Sequence, residues 1–368
     1  MAKSKLFGRT TYFFSKMLPS AWRISLIKWV VRVRYKAPAM TFPWDCAGIK
    51  KVLVILPEGP VDAFHQIKTY LGLKTLFKNA AFSIFCTHEN GLLFQQIHPE
   101  AVLVEYDISQ RYLFSRDFHA REKHFHREEF DLCVLLEHSP DISLLSLAGK
   151  TASPIRAGYK GSGDFPFLNV HGNPSPARKY LSDRNFMIAQ IFGASDKTRS
   201  HWSVARETME EIAHMLHEFQ IPATSLLVGI DAGFFFTVFG ETWTGQLVNR
   251  IKTVNGFTCY VYNSGEPDDA AYRFLHACAV PVFAHMSPSR SAALISKSAC
   301  VVSGKTVFFE LANLLQKPVI GLFEKNEIAR YCRQSPSTHG ITFDASPDRA
   351  TIEHIVNVLQ TADGRTRP

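Results

Sequence analysis

Acidic residues are missing from the first forty positions of this 368-residue chain, which nevertheless hold nine cations: Lys3, Lys5, Arg9, Lys16, Arg23, Lys28, Arg32, Arg34 and Lys36. The whole chain carries a formal charge of +8, so everything after that arm is close to neutral, which argues against a broad nucleic-acid surface. Paired cysteines are missing too. Seven stand singly, most of them in apolar runs such as FSIFC and DLCVLL, and no CxxC occurs, a pattern of buried thiols in a reducing cytosol. No apolar run approaches the ~20 residues that span a bilayer. Charges interrupt every candidate apolar core near the start, so a secretory signal is not expected. Repeats at solenoid periods and low-complexity tracts are likewise lacking. What is present is a 46% hydrophobic chain long enough for two domains, each with a core of its own.

The acid-free arm, residues 1–40, contains SAWRISLIKWVVRVRY. Ser20 can cap a helix on which Trp22, Leu26, Trp29, Val30 and Val33 share a stripe about 100° wide. Arg23, Lys28, Arg32 and Arg34 fall outside that stripe. Such a helix lies in the headgroup layer of an anionic membrane, or else packs on the body with its cations solvated. The first reading is favoured because the acid-free run begins before the helix. It places the protein in the cytoplasm, peripheral on the inner face of the cytoplasmic membrane.

After the linker APAMTFPWD, KKVLVILP has the continuous apolar run of a buried parallel strand, and an amphipathic helix through His65, Tyr70 and Leu73 follows. AAFSIFCT, AVLVEY, DLCVLLE and PIRAGY repeat the strand pattern, with helical segments such as SPDISLLSLAGK between them. KGSGDFPFLNVHGNPSP is expected to be a long loop. Helices over ARKYLSDRNFMIAQIFG and SVARETMEEIAHMLHEF lead to a second series: TSLLVGIDAG, FTCYVYN, VPVF, ACVVS and KPVIGLF. Strands alternating with helices imply two α/β domains, 41–196 and 197–368, with ligands near the carboxyl ends of the strands. The tail DRATIEHIVNVLQTA is one more helix, closing the second domain or reaching back to the first.

SGKTVFFELANLLQKPVIGLF, from Ser303, places Gly-Lys-Thr at the mouth of an apolar helix. A phosphate loop needs Gly five positions before Gly304, where Ala299 stands. The helix mouth at Ser303, Gly304, Lys305 and Thr306 is therefore a general anion site, suited to a diphosphate, or an ordinary helix start. Asp231 and Gly233, ending SLLVGIDAG, are either ligand contacts or an ordinary turn. His119, His124 and His126 have no defined metal spacing, and they read as part of a solvated loop or helix.

VLVILPEGPVDAFHQI and VVSGKTVFFELANLLQKPVIGLF together resemble glycosyltransferase family 9, the heptosyltransferases of the lipopolysaccharide inner core. FDLCVLLEHSPDISLLSLAGKTASPIRAGY resembles that family's central strand, helix and Arg-x-Gly-Tyr segment. The likeness runs over roughly residues 50–345. It implies the GT-B architecture, two facing Rossmann-like domains with parallel sheets, the first for acceptor and the second for donor. It implies Asp62 as catalytic base, with His65 also matching. Where the family has Asp-Thr-Gly and then His, this chain has Lys305, Thr306, Val307 and Glu310, so only the threonine is kept. The family's phosphate-binding Lys before Trp corresponds best to Glu241 in GETW.

The resemblance thus implies an inverting transfer of a sugar, heptose being one candidate, from a nucleotide-diphosphate donor to a lipopolysaccharide-core or related glycolipid acceptor. Asp62 would take the acceptor proton, although Asp in a first helical turn also stabilises the dipole. Ser303, Gly304, Lys305, Thr306, Asp231, Gly233 and Glu310 are donor-site candidates. His65, Arg121, Lys123 and Arg127 are acceptor-site candidates. Asp-x-Asp, the pair that holds a divalent ion on a donor, does not occur. No metal and no cofactor are expected, the sugar nucleotide being a co-substrate. The altered motif also fits a different class, a non-enzymatic binding or scaffold protein at the membrane.

Overall fold

The computed structural model describes residues 48–107, 115–159, 166–173, 179–195, 202–222, 225–263, 269–333, 335–344 and 346–362, together with Trp22, Ser25 and Trp29. The chain divides between Arg199 and Ser200, with Lys179–Leu181 grouped in the second unit. Each unit is built on a six-stranded parallel sheet.

In the first unit the elements run β1 (Lys51–Ile55), α1 (Pro60–Phe64), α2 (Ile67–Leu76), β2 (Ala81–Cys86), α3 (His88–Ile97), β3 (Val102–Glu105), α4 (Arg116–Glu128), β4 (Leu132–Leu135), α5 (Ile142–Lys150), β5 (Ile155–Tyr159), β6 (Val170–Gly172), α6 (Leu181–Asn185) and α7 (Met187–Ile191). The strand order is β3-β2-β1-β4-β5-β6. β1 reads as an unbroken apolar run because both of its faces are covered, and Val52 to Ile55 have no exposed surface. On one face Phe85 stacks on Tyr106 at 4.3 Å and meets Phe125 edge-on at 5.5 Å, with Phe118 and Leu144 beside them. On the other, Tyr70 meets Phe94 and bonds His98 Nδ1 at 2.5 Å.

The second unit runs α8 (Arg206–Glu218), β7 (Leu226–Ile230), α9 (Ala232–Lys252), β8 (Phe257–Asn263), α10 (Asp269–Ala277), β9 (Val282–Ala284), α11 (Pro288–Lys297), β10 (Cys300–Ser303), α12 (Val307–Leu314), β11 (Val319–Glu324), α13 (Ile328–Tyr331), β12 (Thr338–Phe343) and α14 (Arg349–Ala362). Its order, β12-β11-β10-β7-β8-β9, repeats the connectivity of the first sheet. Ile352, Ile355, Val356 and Leu359 of α14 join the core formed by Leu247, Ile251 and Val302. Arg250 and Glu353 pair at 2.9 Å on the rim of that contact. The tail helix therefore closes the second unit.

Three differences from the sequence expectations have local causes. The Gly- and Pro-rich stretch read as one long loop contains β6, three residues long and anchored by Ala157↔Val170 pairing. The helix expected over ARKYLSDRNFMIAQIFG is two short ones that meet at the buried Phe186. β12 was not anticipated because its run, THGITF, is largely polar and sits at a sheet edge, where β11 is its neighbouring strand.

Candidate functional site

In a sheet of this order the chain leaves in opposite directions from two adjacent strands, and the crevice outside their carboxyl ends is where ligands bind. In the second unit those strands are β7 and β10, paired Val228↔Cys300 to Ile230↔Val302. Asp231 follows β7, and Ser303 ends β10. Asp231 Oδ2 accepts hydrogen bonds from Ser303 Oγ at 2.8 Å and Thr306 Oγ1 at 2.7 Å, and the two hydroxyl oxygens are 2.9 Å apart. Asp231 Oδ1 accepts from Phe234 N, capping α9, while Thr306 Oγ1 accepts from Phe309 N, capping α12.

One fully buried carboxylate thereby joins the starts of two helices. A buried anion needs compensation. Here it comes from two hydroxyls and the positive ends of two helix dipoles. The negative charge is felt by neighbours: the Tyr262 phenol is pushed up to about 12, first by burial and then by Asp231, against a hydrogen bond with Ser291. The hydroxyls expected to face a donor are thus turned onto Asp231, and Asp231 begins a helix instead of closing an ordinary turn.

Around this centre the remaining candidates separate. Gly304 lies flat on Phe234, where a Cβ would come within 1.9 Å of Cε1, and Gly233 lies equally close to Asn263. Glu310, in the first turn of α12, is almost wholly buried and accepts from Tyr180 Oη at 3.2 Å. Lys305 points outward, 38% exposed; its Nζ pairs with Glu327 Oε1 at 2.5 Å and sits 4.9 Å from the Tyr331 ring. Glu241 stands in the middle of α9, just after the kink at Gly240, near Cys278, whose thiol is raised by burial and also by the Glu241 charge.

In the first unit the equivalent strands are β1 and β4, paired from Val52↔Leu132 to Ile55↔Leu135. Asn90 Nδ2 donates to the carbonyls of Pro57 and Glu58, fixing the loop that follows β1. Pro60 then opens α1 with its preset φ, and Asp62 falls in the first turn. Asp62 is half-buried; its Oδ1 is enclosed with no hydrogen-bond partner among the described residues, and a Cβ on Gly59 would lie 3.3 Å from its Oδ2.

Past the end of β4 stands Glu137, which the sequence reading missed. Its carboxyl is pushed up by burial, against a hydrogen bond from Ser139 N, and the charges of Asp62 and Glu58 add to the rise. Three carboxyl groups therefore gather at this crevice. The signal available in the sequence was position alone: in this strand order, the residue following LCVLL flanks the one following VLVI. Beside Glu137, His138 stacks on Tyr159 at 4.0 Å, and its Nε2 bonds Asn185 Oδ1 at 2.6 Å. Tyr159 Oη donates to Gln66 Oε1 and Gln66 Nε2 to Leu136 O, which holds the β4 end rigid.

The acceptor-site candidates fall on two elements, His65 at the end of α1 and Arg121, Lys123 and Arg127 on α4. His65 is fully buried at the end of α1, and its carbonyl accepts from Ser182 and Asn185. Arg121 Nη1 donates to Glu105 O at 2.6 Å and covers the Phe85 ring, so it holds α4 to β3. Lys123 and Arg127 are exposed on α4, as are His119, His124 and His126. Trp22 and Trp29 are helical and 69% and 61% exposed, whereas Arg23, Lys28 and Arg32 lie outside the described residues.

No protein-family profile matches the chain, and no curated protein sequence matches it. Solved structures do. The ADP-heptose lipopolysaccharide heptosyltransferase II of E. coli superposes with a TM-score of 0.67 at 15% identity, covering 85% of this chain and 98% of that one. A glycosyl transferase family 9 protein from Veillonella parvula gives 0.63 at 12% identity over 85% and 97%. The E. coli heptosyltransferase WaaC, solved with ADP, gives 0.63 at 15% identity over 85% and 99%. With two parallel six-stranded sheets in the same order, the chain has the GT-B fold of these heptosyltransferases.

Proposed function

We propose that this protein is a GT-B glycosyltransferase that moves a sugar from a nucleotide-diphosphate donor to a glycolipid acceptor at the inner membrane surface. The observation that carries the reading is the Asp62 carboxylate, held at the β1/β4 crevice by Pro60 and a fixed loop, with no hydrogen bond to its Oδ1 among the described residues. A carboxylate beside the carboxyl ends of two adjacent strands stands where a bound acceptor hydroxyl can pass it a proton. In the proposed reaction the acceptor oxygen attacks the anomeric carbon, its proton passes to Asp62, and the bond to the diphosphate breaks with its electron pair leaving on phosphate. Attack opposite the leaving group inverts the anomeric centre. No step needs a metal, in keeping with the lack of Asp-x-Asp in the sequence.

A nucleotide-diphosphate donor is supported by the carboxyl-end position of Ser303–Thr306 in the second unit, and by the WaaC structure with ADP, whose fold this chain shares. The acid-free arm with its two exposed tryptophans supports a membrane-held acceptor, and the exposed Lys123 and Arg127 offer cations to it. Heptose is the first sugar to test.

The test is a thermal-shift and calorimetric panel of nucleoside diphosphates and their sugars. A true donor at 100 times its dissociation constant adds about 2.7 kcal/mol of stability. If none shifts the protein, the transferase reading fails. The Asp231 carboxylate, which already takes the Ser303 and Thr306 hydroxyls, then favours the non-enzymatic scaffold instead.

A further inference from the structure

Because Asp231 satisfies the hydroxyls and caps at the β7/β10 crevice, the attraction for a diphosphate there must come from side-chain cations nearby. Lys305 is on the turn between β10 and α12. Across from it, the segment after β11 supplies Glu327, Arg330 and Tyr331. The Lys305 ammonium and the Arg330 guanidinium both lie on the Tyr331 ring, at 4.9 and 5.1 Å from its centre. Tyr331 is itself buried and cannot swing away. Two cations therefore share a single aromatic platform, and one of them, Lys305, is paired with the Glu327 carboxylate.

Resting on the donor reading above, we propose that Glu327 is an internal competitor for the donor's diphosphate, holding the Lys305 ammonium that phosphate oxygens would otherwise take, with Arg330 as the second phosphate cation. The pair is only part-buried, with Lys305 38% and Glu327 27% exposed, so releasing it carries a small penalty. A diphosphate offers more charge and more acceptor oxygens than one carboxylate, and so it displaces Glu327 while the platform keeps Lys305 in place. The ion pair then sets how tightly any nucleotide is held, whatever its base.

The experiment titrates the full-length protein with inorganic pyrophosphate and, separately, with ADP, by calorimetry at fixed salt. Glu327→Gln should bind both more tightly than wild type, by roughly two- to fivefold. Lys305→Gln should weaken both, and in the double variant Glu327→Gln should no longer tighten binding. Arg330→Gln should weaken pyrophosphate without removing the Glu327→Gln gain. Melting temperatures of the single variants check that folding is intact. Wild-type binding with no gain, or a loss, in Glu327→Gln overturns the competitor and leaves the donor reading standing. Tightening that persists in the Lys305→Gln background overturns it too, as a simple charge effect. No binding of ADP, pyrophosphate or any sugar nucleotide by any of the proteins overturns both.

Discussion

Asp231 caps α9 directly after β7, and Asp62 falls in the first turn of α1 after β1, in very different surroundings. Asp231 is enclosed by two hydroxyl donors and a backbone N–H, so its charge is spent holding α9 and α12 together. Replacing it with Ala leaves two buried hydroxyls without their acceptor and removes one cap, and the stability should fall by roughly 2–4 kcal/mol in urea titration. A loss below about 0.5 kcal/mol would show that the carboxylate is not the clamp. Asp62 has an enclosed oxygen with no hydrogen-bond partner among the described residues. Asp62→Asn keeps the shape and removes the proposed base, so transfer should drop by about 10²–10⁴-fold while donor affinity stays the same. Glu137 adds a pH dependence. Its folded carboxyl holds its proton to higher pH than an unfolded glutamate does. The stability linked to it is present at acid pH and declines as pH rises through the folded value. Glu137→Gln removes that decline, so the stability of the variant relative to wild type should rise as pH is increased above the unfolded glutamate value of about 4.3. A flat difference would place Glu137 in an ordinary solvated setting.

At the scale of elements, α9 shows how a single residue divides a helix. Gly240 has φ 81° and ψ 173°, a conformation that L side chains avoid, and no atom lies within 4 Å of where its Cβ would be. Gly240→Ala therefore meets no clash, and its whole effect is backbone strain. It should cost about 1–3 kcal/mol, read as a lower urea midpoint with an unchanged slope. The kink lets Trp243 turn inward and donate from Nε1 to Asp348 O, and it leaves Glu241 on the exposed side. The strand and helix alternation was legible in runs such as KVLVI and LCVL because a parallel strand covered on both faces has no polar positions. β12 was illegible because an edge strand can be polar. The Asp231–Ser303–Thr306 centre was legible only as positions after strands. Its direction was not, since nothing in SGKT or GIDAG tells whether a hydroxyl donates to a ligand or to a carboxylate 72 residues away. Glu137 escaped because its neighbours, Glu58 and Asp62, are brought to it by strand order and not by sequence spacing.

For the whole molecule, the two sheets have the same order, and the excess of cations belongs to residues 1–40 of the sequence. A nearly neutral body has little long-range attraction to a lipid surface, so membrane affinity should rest on the arm. Each Lys or Arg near an anionic surface contributes about 1 kcal/mol, and the tryptophans add apolar contact at the headgroup level. Full-length protein should sediment with vesicles containing phosphatidylglycerol, and binding should weaken steeply as salt is raised through the screening range. Trp22→Ala together with Trp29→Ala should lower the partition coefficient by roughly tenfold or more without moving the melting temperature, because both side chains are exposed. Equal binding to neutral and anionic vesicles would remove the electrostatic part of this account. If the tryptophan replacements lowered the melting temperature instead of the partition coefficient, the helix would be packing on the body, and the acceptor would have to reach the protein by another route.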